Sequence, residues 1–307
     1  MISAVHHCVT ERAHLFGLAA SDLLERDFAV CQTRSGQVSA NGSCRLLKCT
    51  DGWVALNLAR PEDLDVVPAL TDGEGEPWDV VAQAAASESA MSFRDRAIEL
   101  QLAVAVVGEA VPALLPQADI QAVPRKVVDM SALWAGPLCA SLLARSGAQV
   151  LRIDSLGRPD PTAVSSPKLN ARLNGEKAVL PLDLRDDAGR ACLLERVSQA
   201  DVLVTSARPA ALARLGLEPG NFPDLTWVAI TAHGFSGEAA GRVGFGDDCA
   251  AAGGLVEWCD GQPCFAGDAL ADPLTGLEAA LAVLSGRRGL VDMAMSGVAA
   301  GYAKMVS

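Results

Sequence analysis

The fold is decided by Lys126-Val-Val-Asp-Met-Ser-Ala-Leu-Trp-Ala-Gly-Pro137 and the residues that follow it as far as Asp154. The pattern predicts an apolar strand over 126–130, then a helix that opens at Gly136-Pro137 and ends at Gly147. Proline is tolerated in the first turn of a helix because its missing N–H has no partner there. A second apolar strand follows over 149–154. A helix between two apolar strands is the unit from which parallel sheets are built.

The same alternation continues through the second half of the chain. It predicts strands over 178–183, 201–205 and 226–231, and helices over 187–199, 209–215 and 273–284. Strands that are apolar along their whole length are covered on both faces. The predicted fold class is therefore α/β, a Rossmann-like parallel sheet with helices on both faces. Ligands of such sheets bind at the carboxyl ends of the strands.

The first part of the chain lacks this alternation of strands and helices, and its pattern predicts a smaller α+β domain. Residues 45–58 form a hairpin candidate with Asp51-Gly52 in its turn, a strong local signal. Helical spacing appears over 13–24, 61–70, 80–86 and 93–107, and prolines between 112 and 124 indicate a linker. We therefore expect a small α+β domain over 1–120 and a Rossmann-like domain over 124–307. A chain of 307 residues has the length of two average domains.

Charge and cysteine content exclude several classes of protein. The net charge of −12 makes a nucleic-acid partner or an anionic membrane surface a poor fit. Residues 1–123 carry −9 of it and residues 124–307 only −3, so an anionic ligand fits the second half better. Nine cysteines without a C-x-x-C fit free thiols in a reducing cytoplasm better than disulfides or zinc knuckles. Neither a signal peptide nor a membrane span is expected.

Several common catalytic motifs are absent. The turn after the first predicted strand of the large sheet is not G-x-G-x-x-G, and neither a P-loop nor a G-x-S-x-G elbow occurs. The pair His6-His7 could bind a metal, but histidines near a terminus are usually solvated. The sequence therefore predicts no metal site and no permanently bound cofactor.

Asp272 is the most informative acidic residue. It precedes Pro273 and an apolar helix, which makes it an N-cap candidate. The same position can instead serve chemistry, because the positive end of a helix holds a carboxylate in its anionic form. A fixed, ionised carboxylate is what covalent acyl transfer by aspartate requires. Local chemistry leaves both interpretations open.

Three groups of motifs together resemble the class III coenzyme A transferases, a family that includes formyl-CoA transferase, carnitine CoA-transferase and the related α-methylacyl-CoA racemases. The first group is the strand, the Ala135-Gly-Pro137 turn and the run Gly147-Ala-Gln-Val-Leu-Arg-Ile-Asp154. The second is Asn174-Gly-Glu-Lys177, Leu182-Asp-Leu184 and Arg208-Pro through Leu215-Gly216. The third is Gly234-Phe235, Gly244-Phe245, Leu270-Ala-Asp272 and Leu290-Val-Asp292.

This resemblance implies an enzyme that moves coenzyme A (CoA) from an acyl-CoA to a free carboxylic acid. Asp272 would be the nucleophile, passing through an aspartyl anhydride and an aspartyl-CoA thioester. CoA is then a substrate rather than a resident cofactor. The residues that the resemblance places at the substrate and CoA are Trp134, Ala135, Asn174, Lys177, Arg208, Arg214 and His233.

Two other functions stay open. Relatives that are racemases need a second acid or base, for which Asp247 and Asp248 are available, although the histidine that racemases pair with their aspartate is absent here. A CoA-binding subunit without turnover is the third interpretation. The small domain precedes the sheet domain here, whereas it follows it in the family, so the order looks circularly permuted. The family also implies a cytoplasmic homodimer, and whether its subunits interlock stays open.

Overall fold

The computed structural model describes residues 1–26, 36–71 and 73–306. Eight of the nine cysteines lie in these ranges and are free thiols, and Cys31 lies outside them. None of the described helices combines the length and apolar character that crossing a bilayer requires.

A six-stranded parallel sheet forms the larger part of the molecule. Its strands are β4 (Lys126–Met130), β5 (Gln149–Ser155), β6 (Ala178–Leu182), β7 (Val202–Thr205), β8 (Thr226–Thr231) and β11 (Leu290–Ala294). Their spatial order is β11-β8-β7-β4-β5-β6, and every neighbouring pair is parallel. The next two strands along the chain, β5 and β6, therefore lie on one side of β4, and the strand after them, β7, lies on its other side. This reversal is the topological switch point of a Rossmann-type sheet, and the predicted fold class is confirmed.

Two further sheets are antiparallel. The small sheet consists of β1 (Cys44–Lys48), β2 (Trp53–Asn57) and β3 (Ala103–Val106), and its first two strands are the predicted hairpin. A separate hairpin pairs β9 (Val256–Cys259) with β10 (Gln262–Phe265).

Helices cover both faces of the large sheet and contact both faces of the small sheet. In chain order they are α1 (Ile2–His14), α2 (Ala20–Leu24), α3 (Pro61–Asp65), α4 (Val67–Thr71), α5 (Pro77–Ser87), α6 (Ala90–Glu99), α7 (Ala135–Arg145), α8 (Thr162–Ser165), α9 (Pro167–Asn174), α10 (Asp187–Ser198), α11 (Pro209–Ala213), α12 (Gly246–Ala252), α13 (Ala271–Leu284) and α14 (Met295–Val306). Short 3-10 turns lie at Pro219–Asn221 and Glu238–Gly241.

Successive residues of β4 show how the two faces are filled. Val127 packs with α7 and α13 on one face, and Val128 packs with α10 and α11 on the other. This alternation is what a strand buried on both sides produces.

The N-terminal residues are shared between two hydrophobic clusters. Val5 and Val9 of α1 belong to the cluster that contains α7, α13 and α14, whereas residues 47–104 form a separate cluster around the small sheet. The division into domains over 1–120 and 124–307 stays a prediction.

Several predicted elements are wrong in detail. The helix expected over 93–107 ends at Glu99, and Gln101 turns the chain with φ +60° into strand β3. The helix expected over 13–24 is interrupted at Gly17, where φ is +65°. Helix α12 and strand β11 were not predicted from the sequence.

Candidate active site

Asp272 lies in the first turn of α13 and is half-buried. The N-cap of this helix is Leu270, so the prediction that Asp272 caps the helix is wrong. Its carboxylate instead faces the backbone N–H groups of Ala135 and Gly246, which favour its charged form. These two residues are the first of α7 and α12, so three helices direct their positive ends toward one carboxylate.

Two glycines permit this approach. A Cβ on Gly246 would lie 2.2 Å from Oδ2 of Asp272 and 2.5 Å from the carbonyl oxygen of Ala269. A Cβ on Gly276, one turn after Asp272 on α13, would lie 2.6 Å from the carbonyl oxygen of Ala135. Helix α13 can therefore pack directly against the start of α7 only because position 276 carries no side chain.

The loops on either side of Asp272 adopt unusual backbone conformations. Leu133, in the loop after β4, has φ +70°, and Ala269 has φ +47°. Side chains rarely accept this left-handed region, and such residues cluster at functional sites. The Leu133 loop also lies at the switch point, because the N–H of Ala132 donates to Oγ of Ser206 after β7 (2.9 Å). Asp272 thus adjoins the place where Rossmann-type sheets bind ligands.

Two further carboxyls, those of Asp247 and Asp248, lie buried in the first turn of α12. Asp247 accepts from the N–H of Ala269 (2.8 Å), and Asp248 accepts from Nδ2 of Asn57 (3.0 Å). Asn57 belongs to the small sheet, so the N-terminal part of the chain contributes directly to the cluster.

Burial raises the pKa of all three carboxyls. It brings the pKa of Asp272 to about 6, although Arg26 and the N–H of Ala135 lower it. It brings the pKa of Asp247 to about 7, with the charges of Asp268 and Asp248 adding to the increase. The pKa of Asp248 also reaches about 7, because burial outweighs the hydrogen bond from Asn57. At Asp272 the charge of Arg26 and the N–H groups of Ala135 and Gly246 oppose this increase in pKa and favour the ionised form.

A cation is held beside this carboxyl cluster. The Nε and Nη2 atoms of Arg26 donate to the two carboxylate oxygens of Asp268 at 2.8 and 2.9 Å. The guanidinium carbon lies 5.3 Å from the centre of the Trp134 ring, a cation–π distance. Trp134 immediately precedes α7, so Arg26 lies next to the N-terminus that faces Asp272.

One group of side chains has the donor types that bind metal ions. A nitrogen of His233, a carboxylate oxygen of Asp248 and the sulfur of Cys249 all lie within 4.8 Å of one another. Burial is the main reason that the pKa of His233 falls to about 4, so its ring is neutral, as a metal ligand requires. The sequence signalled neither this group nor the role of Cys249 in it. Whether His233 contacts CoA stays a prediction.

Asn174 and Lys177 lie in a buried polar network. The ammonium of Lys177 donates to Oδ2 of Asp129 (2.7 Å), to the carbonyl oxygen of Pro137 (2.9 Å) and to Oδ1 of Asn174 (2.9 Å). These acceptors use its three N–H groups, so a contact of Lys177 with CoA would have to replace one of them. The CoA-binding role of both residues stays a prediction.

A cavity of 430 Å³ opens at the carboxyl ends of β5 and β6. Its lining includes Arg152, Asp160 and Asn174. Asp160 also accepts from the N–H of Leu133 (3.2 Å), so the cavity adjoins the loop that leads to Ala135. The cavity and the Leu133 loop therefore share Asp160 at this edge of the sheet.

The remaining predicted contacts fall into two groups. Trp134 and Ala135 are buried and lie against the Asp272 region. Arg208 is the N-cap of α11 and donates to Oε1 of Gln101 (2.6 Å), and Arg214 is exposed at the end of the same helix. Their proximity to CoA stays a prediction.

Sequence reasoning missed four residues of this site, namely Arg26, Asn57, Gly246 and Asp268. Arg26 and Asn57 lie far from Asp272 along the chain, and no local pattern marks them. Gly246 carried a local signal, because it lies between Phe245 and Asp247 and close to a second glycine, Gly244.

Residues 125–290 match the family described as CoA-transferase family III. The chain belongs to this family. The resemblance inferred from the motifs is thereby confirmed, whereas the permuted order of its domains stays a prediction.

The chain is similar to an acyl-CoA transferase from Fusarium pseudograminearum, to which it is 30% identical over 52% of this chain and 40% of that protein. Another similar protein is the human succinyl-CoA:glutarate CoA-transferase, 26% identical over 56% of this chain and 43% of its own length. A solved structure of a CaiB/BaiF family protein from Brucella suis is 26% identical, with a TM-score of 0.54 over 58% of this chain and 53% of that one. The chain spans about half the length of the relatives it matches.

Proposed function

We propose that this protein transfers CoA from an acyl-CoA to a free carboxylic acid, with Asp272 as the nucleophile. The observation that carries the proposal is the Asp272 carboxylate facing the N–H groups of Ala135 and Gly246 at the switch point of the sheet. The names of the relatives support CoA transfer between acids in general.

The first half of the reaction would proceed on Asp272 itself. Its carboxylate attacks the thioester carbonyl, a C–O bond forms, the C–S bond breaks, and CoA leaves as a thiolate. The thiolate then attacks the aspartyl carbonyl of this mixed anhydride and releases the donor acid as its carboxylate. Asp272 is now a CoA thioester.

The second half reverses these steps with a different acid. The acceptor carboxylate attacks the aspartyl thioester, which releases CoA thiolate and forms a new anhydride. The thiolate attacks the acyl carbonyl of the acceptor, and the product acyl-CoA leaves with Asp272 restored as a carboxylate. No oxidant or external proton is consumed in this cycle.

The residues around Asp272 supply what these steps need. Each attack builds negative charge on a carbonyl oxygen, and fixed N–H donors stabilise such charge without reorganising. The N–H groups of Ala135 and Gly246 already face the Asp272 carboxylate and are the candidates for this role. The apolar surroundings of α13 limit the access of water, which would hydrolyse the anhydride.

The cavity beside β5 and β6 is the proposed CoA site. It lies at the carboxyl edge of the sheet and adjoins the Leu133 loop. Arg208 and Arg214 follow β7 on the same edge and would meet the phosphates, for which a guanidinium is well suited.

Racemisation of an acyl-CoA is a second candidate, favoured by the raised pKa values of Asp247 and Asp248. A carboxyl that titrates near pH 7 can accept and return an α-proton. Loss of α-deuterium from a 2-methylacyl-CoA would identify this activity, and CoA exchange without that loss would exclude it.

The decisive experiment is incubation with a panel of acyl-CoAs, followed by mass spectrometry of exchanged thioesters and of hydroxylamine-trapped Asp272. We expect exchange by the parent protein and none by Asp272→Ala, which should still bind CoA. The matched control is Asp187→Asn, an exposed carboxylate on α10. Unchanged exchange by Asp272→Ala would overturn the nucleophile, and CoA binding without exchange by the parent would indicate a subunit without turnover.

Assembly and location form the last part of the proposal. We infer a homodimer from the family resemblance, with acyl-CoA and carboxylic acids as its small-molecule partners. The free thiols of the described chain fit a reducing cytoplasm. Light scattering of the purified protein gives its mass in solution, and a monomer would contradict the dimer.

A further inference from the structure

We infer that Arg26 forms a carboxylate-binding subsite beside Asp272, and that Asp268 occupies it until a substrate carboxylate takes its place. The inference rests on the proposed function for the identity of the ligand, a free carboxylic acid. The geometry of the subsite stands independently of that ligand, because it follows from the contacts of Arg26 with Asp268 and Trp134.

The contact between Arg26 and Asp268 already has the form of substrate recognition. A guanidinium binds a carboxylate most strongly through two parallel N–H···O bonds. Arg26 and Asp268 make both, at 2.8 and 2.9 Å. A substrate carboxylate could replace that of Asp268 with the same two bonds.

Both partners are accessible enough to exchange. The side chain of Arg26 keeps 25% of its surface exposed and that of Asp268 keeps 15%. This exposure gives water and a ligand access to both charges. A substrate carboxylate that displaces Asp268 makes the same two bonds to Arg26, and the released Asp268 carboxylate can be solvated.

The surrounding charge explains why a free acid needs this guanidinium. Asp247 and Asp248 lie together beside Asp272, and an approaching carboxylate is repelled by whichever of them is ionised. Arg26 acts electrostatically on both Asp247 and Asp272, so it is close enough to offset that repulsion. It is thus placed where an acceptor carboxylate would have to approach the Asp272 thioester.

Trp134 gives a second, independent indication of a polar ligand. Its ring lies under the Arg26 guanidinium, and its side chain is almost completely buried. Among the described residues, its indole N–H finds no hydrogen-bond partner. A buried donor without a partner is costly, and a ligand oxygen is one of the few groups that can satisfy it.

The test is calorimetric titration with succinate, a binding measurement that does not depend on turnover. We expect Arg26→Gln to weaken succinate binding by about ten- to one hundredfold, since hydrogen bonds to a charged group are lost. The succinate affinity of Arg26→Lys should lie between those of the parent protein and Arg26→Gln, because lysine keeps the charge but cannot form the two parallel hydrogen bonds. Asp268→Asn should tighten binding several-fold by removing the competing carboxylate.

The opposite effects of the two variants separate recognition from a structural role. If the pair only stabilises the fold, Arg26→Gln and Asp268→Asn will weaken binding alike, and circular dichroism will show the loss of structure. Arg185→Gln is the matched control, since Arg185 pairs with Asp183 on the surface by the same geometry.

The proposed transferase and this subsite can fail separately. Succinate binding that is unchanged in Arg26→Gln overturns the subsite, whatever the transfer assay gives. Binding that depends on Arg26 in a parent protein without CoA exchange supports the subsite and overturns the transferase. With exchange present, the KM for the acceptor acid should rise in Arg26→Gln while the KM for acyl-CoA stays constant.

Discussion

Gly246 and Asp272 approach each other so closely that a methyl group on Gly246 would lie 2.2 Å from the Asp272 carboxylate. The same absence of a side chain lets the N–H of Gly246 face that carboxylate. Position 246 therefore determines both the location of the proposed nucleophile and one of the groups that stabilise its charge.

The first prediction concerns Gly246→Ala. We expect CoA transfer to fall at least about a hundredfold, because the loss of one properly placed donor costs this much in other oxyanion sites. Overpacking should lower the free energy of unfolding by about 1–3 kcal/mol. Steady-state exchange and urea unfolding measure the two effects.

Gly220→Ala is the control for this substitution, since a Cβ there would meet open space. It should leave both measurements unchanged. A fully active Gly246→Ala would mean that the Asp272 carboxylate does not need the position described here.

The second prediction concerns the pH dependence of transfer. Asp272 must be ionised to attack, and burial places its pKa at about 6. The value of kcat/KM for acyl-CoA should therefore fall tenfold per pH unit below about pH 6 and level off above it. Asp268→Asn should move this limb to lower pH, because the charge of Asp268 raises the pKa of Asp272.

Asp187→Asn provides the comparison, since Asp187 is exposed on α10 and should leave the profile unchanged. If kcat/KM of the parent protein begins to fall only below about pH 4, Asp272 is not buried during catalysis.

The third prediction links Asp248 to stability. Its pKa of about 7 in the folded protein exceeds its ordinary value of about 3.9, so the folded state binds a proton more tightly than the unfolded state. The contribution of Asp248 to the free energy of unfolding should therefore be largest below about pH 4 and decrease as the pH rises toward 7. Asp248→Asn removes this titration, and should be more stable than the parent at pH 8 by on the order of 2 kcal/mol.

Urea unfolding at pH 5 and pH 8 measures this difference. An asparagine oxygen can still accept from Asn57 and from the N–H of Phe245, so the local hydrogen bonds remain. A parent protein whose stability increases between pH 5 and pH 8, with Asp248→Asn following the same slope, would contradict the assigned pKa.

Five of the six strands of the large sheet were predictable from sequence because each of them is marked locally. Val127-Val128 and Val202-Leu-Val204 are apolar runs between turn signals, and the positions of their helices follow from the same alternation. Strand β11 escaped prediction because its residues alternate in burial and include Asp292. It is an edge strand, where one side of the pattern faces solvent.

The site was predictable only in part, for a physical reason. Asp272 lies in a local motif, but its neighbours depend on how distant elements pack. Asn57 and Asp248 form a hydrogen bond although they are 191 residues apart in the sequence, and Arg26 and Asp268 are 242 residues apart. No periodicity encodes such contacts, because they arise from the docking of the small sheet and the N-terminal helices.

The last prediction tests whether Lys177 binds CoA or holds the fold together. Its side chain is 1% exposed and forms an ion pair at 2.7 Å with Asp129, which is fully buried. Lys177→Met should lower the free energy of unfolding by about 3–5 kcal/mol, because it leaves a buried carboxylate without its partner. Asp129→Asn in the same chain should restore part of that loss, since no lone charge then remains. Lys126→Met, at an exposed position, should change stability by less than about 0.5 kcal/mol. If Lys177→Met unfolds at the same urea concentration as the parent and loses only CoA affinity, the residue contacts CoA and is not a structural bridge.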